Sequence, residues 1–448
     1  MSDLRRRARG RVDAARAAAD ARWGRPRGVD RPVYLVAPAG HPNHGDEQLL
    51  AGWLRYLRHR LPGTPVVVDC HTPGQAAVLH HAEHPDVLFT DTLWRLACEH
   101  TDAEGAIEFC RRAVADPGVR PAVATGVEML LSASVVHLIG GGYVNDQWPH
   151  HLGVAAAAGE AGGISGARVV ATGQGFLPCG DAGLLADALR GFDLVSVRDA
   201  LSYDLLTGTG VPARRVGDDG WLALSGIAPS GACDHPVYSD DADTRRDLVL
   251  CVQSDLGDPD ALADAVARVL ADWGVPGERM TVVESIPGGD RVVWDRVCAR
   301  AEGAGSGPAG VGPEGVGPAG EGDAGEGDDD EVAAALKALA LPRARFVPFQ
   351  QLWATGLPAR PGQTWLTTRF HAHLFAAARG ASGVVLRLGS EYYDVKHGSL
   401  AQAGSRWHLL DPQVVVVPDP PTAGGFDPAA VAALIADAET LAAEIYPR

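Results

Sequence analysis

Short apolar runs alternate with longer amphipathic stretches along most of the chain. Val33-Tyr34-Leu35-Val36-Ala37, Val66-Val67-Val68, Val135-Val136-His137-Leu138-Ile139, Val169-Val170-Ala171 and Leu194-Val195-Ser196-Val197 are such runs. They lack the apolar–polar alternation of a half-exposed strand, which predicts strands covered on both faces of a parallel sheet. Between the first two, Leu49, Leu50, Trp53, Leu54 and Leu57 fall on one helical face. The pattern restarts at Asp247–Val252 and continues through Met280–Val283, Ala344–Pro348, Thr364–Leu366, Gly383–Leu386 and Val414–Val417. Helices are predicted over Pro259–Trp273, from about Val292 to Ala301, from Phe370 to a stop at Gly380, and from about Pro428 to Tyr446. The chain is predicted to be α/β, with two doubly wound domains whose ligands bind in a cleft at the carboxyl ends of the strands.

Breaks in the pattern set the domain limits. Residues 1–31 read as a basic, Ala-rich helical extension, 32–228 as the first domain and 229–245 as a linker rich in Asp, Ser, Gly and Pro. Residues 246–418 form the second domain, and the helix within 419–448 is expected to pack back on the first. Residues 302–330 hold Gly, Pro, Ala, Glu and Asp with little to bury, so this acidic insertion is predicted to be disordered.

Composition narrows the function classes. A net charge of −17 over 448 residues argues against non-specific nucleic-acid binding, which needs a basic face. Any anionic ligand must be drawn by a local basic site. The seven cysteines show no CxxC spacing, so neither a disulfide framework nor a zinc site is implied. No apolar run approaches the ~20 residues of a membrane span. The basic N-terminus, Met1-Ser2-Asp3-Leu4-Arg5-Arg6-Arg7, has no hydrophobic signal core, and a cytoplasmic location is expected. It reads first as a solvated helix and second as a peripheral contact with anionic lipid.

The candidate chemistry lies just after the predicted strands. Arg369, Phe370 and His371 open a helix directly after a strand, where backbone N–H groups and the helix dipole favour an anion. Arg369 offers a planar fork of donors, and His371 a proton carrier near neutral pH. In Gly40-His41-Pro42-Asn43-His44-Gly45-Asp46-Glu47, Asp46 either caps the following helix or, with Asn43 and Glu47, meets the hydroxyls of a polar acceptor. Gly140-Gly141-Gly142 and Gly173-Gln174-Gly175 are turns that let a ligand approach, with Gln174 as a polar contact. Arg198 either pairs with Asp199 or clamps an anion. Gly217-Asp218-Asp219 reads as a solvated acidic pair in preference to a metal site. Lys396 is a further cation, placed in a loop.

Taken in order, these motifs resemble the polysaccharide pyruvyl transferase family. The resemblance rests on Gly40-x-x-Asn43-x-Gly45-Asp46-Glu47, Gly140–Gly142, Gly173-Gln174-Gly175 with Pro178, Ser196-Val197-Arg198-Asp199-x-x-Ser202, Arg369-Phe370-His371 and Lys396. Phe370 stands where the family usually has Leu. The resemblance implies two Rossmann-like domains in the GT-B manner and no cofactor or metal. It also implies transfer of the enolpyruvyl group of phosphoenolpyruvate onto a sugar hydroxyl pair of a lipid- or nucleotide-linked saccharide. Arg198, Arg369 and His371 would bind the donor, with His371 as acid or phosphate contact; Asn43, Gly141, Gln174 and Lys396 would complete the binding set. Asp46 or Glu47 would act on the acceptor. Two other classes share these features: a nucleotide-sugar-dependent glycosyltransferase, and a saccharide-binding relative without turnover.

Overall fold

The apolar runs at Val33–Val36, Val66–Val68, Val135–Leu138, Val169–Ala171 and Leu194–Val197 become inner strands of one sheet, with their faces covered. The computed structural model describes residues 31–226, 237–255, 257–303, 326–389, 391–411 and 417–447. The chain divides into two compact units, Met1–Ile227 with Ala429–Arg448, and Ala228–Pro428. The basic extension, the start of the linker, most of the acidic insertion and the run Val414–Val416 lie outside the described residues.

The first unit holds β1 (Val33–Val36), β2 (Val66–Asp69), β3 (Val87–Thr90), β4 (Val135–Leu138), β5 (Arg168–Gln174), β6 (Leu194–Val197) and β7 (Ala213–Arg215). All pair in parallel, in the order β3-β2-β1-β4-β5-β6-β7. Successive residues of β1 feed opposite faces, as strand geometry requires. Tyr34 and Val36 join a core with Ile107, Val154 and Val169; Val33 and Leu35 join another with Leu50, Trp53 and Leu54. The helix Pro428–Ile445 returns to this second face through Leu441, Ala442, Ile445 and the following Tyr446.

The second unit holds β8 (Leu248–Cys251), β9 (Met280–Val283), β10 (Arg345–Val347), β11 (Thr364–Thr367), β12 (Ser382–Leu386) and β13 (His408–Leu410). They are also parallel, ordered β10-β9-β8-β11-β12-β13. Both units are therefore doubly wound and Rossmann-like. Strand order reverses between β1 and β4 in the first and between β8 and β11 in the second. Loops leaving these paired strands diverge to opposite faces, so a crevice opens at each carboxyl end.

Three expectations change. The helix Glu326–Ala338 starts inside the stretch read as structureless, so its last residues are helical. The described end of the linker is built into the second unit: Tyr238 is buried, bridges Leu357 and donates its hydroxyl to the Phe375 carbonyl at 2.7 Å. Lys396 sits in the helix Glu391–Gln402, not in a loop.

Candidate functional site

In the first unit, the loop after β1 is tied down by its own polar residues. Asn43, not Asp46, caps the helix His44–Arg60 by accepting from Gly45 N–H. Its amide then donates to the Asp46 carboxylate at 2.8 Å, one turn in. Glu47 is fully buried: one oxygen accepts from Gly40 N–H at 2.9 Å and the other lies 2.6 Å from His80 Nε2. Gly40 needs φ +80°, and a Cβ there would stand 2.6 Å from the Thr72 carbonyl oxygen. Glu47 is thus a brace for the turn, while Asp46 stays partly exposed.

The glycine turns beside it form around one carboxylate. Asp218 and Asp219 are buried, which corrects their reading as solvated. Asp219 Oδ2 accepts from Trp53 Nε1 at 2.7 Å, Gly140 N–H at 2.7 Å and Thr172 Oγ1 at 2.6 Å. A Cβ on Gly140 or Gly173 would meet the same carboxyl group at about 3 Å. These glycines make room for Asp219. Burial pushes Asp219 up to about 6, against the hydrogen bonds that favour its charge.

The network behind Asp219 has a direction. Thr172 donates to Asp219, so it accepts from His137 Nε2–H at 2.8 Å; His137 Nδ1 is then the acceptor for the Tyr446 hydroxyl, also at 2.8 Å. Gln174 is buried and donates to the Ile139 and Thr172 carbonyls at 2.8 and 2.9 Å. Gly141 bridges Gln174 through backbone bonds, and a Cβ on it would strike the Tyr143 ring at 2.5 Å. Both residues serve the turn here.

Arg198 is buried at the end of β6 and donates to Asp218 Oδ2 at 3.3 Å. Asp199 is not its partner: that carboxylate caps the helix Ala200–Leu206 through Ser202 N–H and Oγ. The guanidinium lies flat over Gly175, where a Cβ would come within 2.7 Å of Nε.

In the second unit, Arg369 follows β11 at the switch point and is buried. Its Nε and NH2 donate to Asp290 Oδ1, the former at 3.1 Å. Its NH2 and NH1 donate to Asp255 at 2.7 and 3.4 Å. Asp290 is fully buried and also accepts from Ser285 N–H and Ile286 N–H, whereas the Asp255 side chain is 46% exposed. Burial alone would weaken the proton on Arg369; Asp290 and Asp255 outweigh that and hold it firmly protonated. The expected anion grip is therefore an ion cluster carrying one more negative than positive charge.

Phe370 is buried, and the His371 ring meets it edge-on at 5.0 Å and stacks on Phe375 at 6.0 Å. Tyr393 belongs to the same cluster: burial pushes its phenol up to about 12, with the Asp255 charge adding to the effect. One turn on, Lys396 Nζ lies 3.4 Å over the Tyr392 ring. Beneath them His373 and His397 are buried with their Nδ1 atoms 3.1 Å apart. His397 Nε2–H donates to the Thr368 carbonyl, leaving its Nδ1 to accept from His373.

Sequence reasoning misread Asp219 as solvated and missed Asp255, Asp290 and Tyr393. The three aspartates share one signal with the motifs it found: each lies a few residues beyond the carboxyl end of a strand.

Two doubly wound units, each with a polar crevice at its switch point, define a tandem Rossmann-like protein. Within that class the chain belongs to the polysaccharide pyruvyl transferase family, whose model matches residues 43–273. No curated protein matches it at a significant level. Solved structures that are similar in fold include a UDP-N-acetylglucosamine 2-epimerase at 14% identity, with 94% of this chain and 97% of that one covered and a TM-score of 0.46. Another is the UDP-GlcNAc 2-epimerase from Neisseria meningitidis bound to UDP-GlcNAc, at 9% identity, 92% and 90% coverage and a TM-score of 0.43. A third is an alpha,alpha-trehalose-phosphate synthase (UDP-forming) from Burkholderia vietnamiensis, at 10% identity, 94% and 97% coverage and a TM-score of 0.42.

Proposed function

We propose that the protein transfers the enolpyruvyl group of phosphoenolpyruvate to a saccharide and closes a pyruvate ketal on two of its hydroxyls. Family membership carries this reading, supported by Arg369 and His371 standing beside the β8/β11 crevice. The donor bears a carboxylate and a phosphate, and Arg369 is a fixed cation with a planar donor edge. Its outer edge is held by half-exposed Asp255 and its inner edge by buried Asp290. A donor oxyanion takes the outer edge by displacing Asp255, while Asp290 keeps the guanidinium in place. Lys396 is a second cation of the same unit for the phosphate.

In the reaction the oxygen of one acceptor hydroxyl bonds to C2 of the donor, C3 takes a proton to become a methyl group, and the hydroxyl proton is released. The C2–phosphate bond then breaks, and the second hydroxyl closes the ketal with loss of its proton. His371 is our candidate for protonating C3 or for holding the phosphate; general acid–base assistance is worth ~10²–10⁴-fold. On the acceptor side Asp46, partly exposed and steadied by Asn43, is preferred to Glu47, whose oxygens are engaged by Gly40 and His80.

The test is phosphate release from phosphoenolpyruvate with a panel of nucleotide- and lipid-linked sugars. Acceptor-dependent release is expected. No release across the panel, together with thermal stabilisation by UDP and none by phosphoenolpyruvate, would overturn the reading in favour of nucleotide-sugar glycosyl transfer.

A further inference from the structure

A group of imidazoles and a thiol in the first unit has no part in the reading above. Cys98 ends the helix Thr92–Ala97, and His150 and His151 lie in the turn Pro149–His151 that leads into the helix Leu152–Ser165. One donor atom from each of Cys98, His150 and His151 lies within 4.8 Å of the other two. Their exposure is graded: Cys98 is exposed, His150 half-buried and His151 buried, so the group opens to solvent from a fixed base.

The hydrogen bond of His151 leaves one ring nitrogen with a lone pair to offer. Its Nδ1 lies 2.8 Å from the Tyr143 carbonyl oxygen, which can only accept, so Nδ1 carries the hydrogen. Nε2 is then the atom with a lone pair to offer. An imidazole that donates one N–H to a carbonyl and keeps a lone pair on its other nitrogen is the usual arrangement at a metal. The ring is also held sideways, by the edge of Trp94 at 5.0 Å and by His150 at 4.4 Å. His71 stands behind it at 5.7 Å between centroids, outside the three-residue group.

We propose that Cys98, His150 and His151 bind one zinc ion, with a solvent molecule in the fourth position. A thiolate with two imidazoles is too soft a set for magnesium or calcium and matches zinc among the common divalent ions. Zinc bonds of ~2.0–2.3 Å place tetrahedral donors roughly 3.5 Å apart. The group therefore closes by about an ångström, through side-chain rotation of Cys98 and His150 at the open end. Cys98 loses its thiol proton to solvent on binding, as thiolate coordination requires. Cysteine spacing gave no hint of this site because its ligands come from two elements more than fifty residues apart.

The test uses the full-length protein, reduced and stripped with a chelator, titrated with cobalt(II) alone and then with zinc(II). One equivalent of cobalt should bind, with a thiolate-to-cobalt charge-transfer absorption that zinc abolishes. Cys98→Ser should remove that absorption, and His150→Ala should weaken cobalt binding at least tenfold. Both side chains lie toward the open end, and unchanged near-ultraviolet circular dichroism would show that each variant is folded. Absence of stoichiometric binding, or an absorption that survives in folded Cys98→Ser, would overturn the proposal. The readout is independent of pyruvyl transfer.

Discussion

The two switch points solve the same problem with different electrostatics. In the first unit, buried Asp219 is met by neutral donors: an indole N–H, a hydroxyl and a backbone N–H. Asp69 repeats the device with the Tyr34 hydroxyl at 2.6 Å and Leu93 N–H at 2.8 Å, and burial pushes it up to about 7. In the second unit, buried Asp290 is met by a cation. Neutral donors leave burial to raise the carboxyl of Asp219. At Asp290 burial also pushes the carboxyl up, but there the Arg369 charge and its hydrogen bonds work against it, and Arg369 itself stays firmly protonated. Burial thus raises the carboxyl in both crevices, and the second is in addition sensitive to loss of a partner, because its buried cation depends on Asp290.

Asp290→Asn breaks that contrast most strongly. Removing the charge leaves the buried Arg369 guanidinium with only half-exposed Asp255, and the loss of one partner of a buried pair costs about 3–5 kcal/mol. Urea denaturation should show a destabilisation of that order. A loss below about 1 kcal/mol would mean that water already solvates Arg369 and that the two crevices differ less than their geometry suggests.

Asp219→Asn tests the other side through pH. The folded carboxyl sits at about 6, above its ordinary 3.8, so the folded state holds the proton more tightly. Its contribution is fully present below about pH 4 and is lost as pH rises through 6. The asparagine variant mimics the protonated form and has no such loss. Relative to the variant, the wild type should therefore fall by on the order of 2–3 kcal/mol between pH 4 and 7, at ~1.4 kcal/mol per pKa unit. Asp69 titrates in both proteins and cancels. Parallel pH profiles would show that Asp219 is not the group holding the proton.

The same contrast explains what the sequence made legible. Central strands such as β1 and β8 read clearly because both faces are buried and their residues are nearly all apolar. The edge strands β7 and β13 are short and carry exposed positions, so Ala213–Arg215 and His408–Leu410 give no run of three apolar residues. Arg369 and His371 were found because a cation after a strand is conspicuous. Their setting was not, because Asp255 and Asp290 come from loops after β8 and β9 and reach Arg369 only once the sheet has formed. Adjacent acids resemble solvated loop residues in sequence, and only Trp53 and Thr172, brought in from distant elements, reveal Asp219 as buried.

Asp255→Asn has the smallest expected effect on stability and the sharpest bearing on function. With a partly exposed side chain, the Asp255–Arg369 pair is worth at most about 1 kcal/mol. Asp290 remains to hold the guanidinium, so the urea midpoint should move little. If a donor oxyanion displaces Asp255 from the outer edge of Arg369, removing the competing charge should tighten phosphoenolpyruvate binding roughly fivefold, or ~1 kcal/mol. Calorimetry at fixed ionic strength measures it directly, and added salt should narrow the difference because the competing pair is partly exposed. Weaker binding by the variant would reverse the assignment: Asp255 would then be the residue that aims Arg369 at its ligand, and the ion cluster would be the formed site, not its closed state.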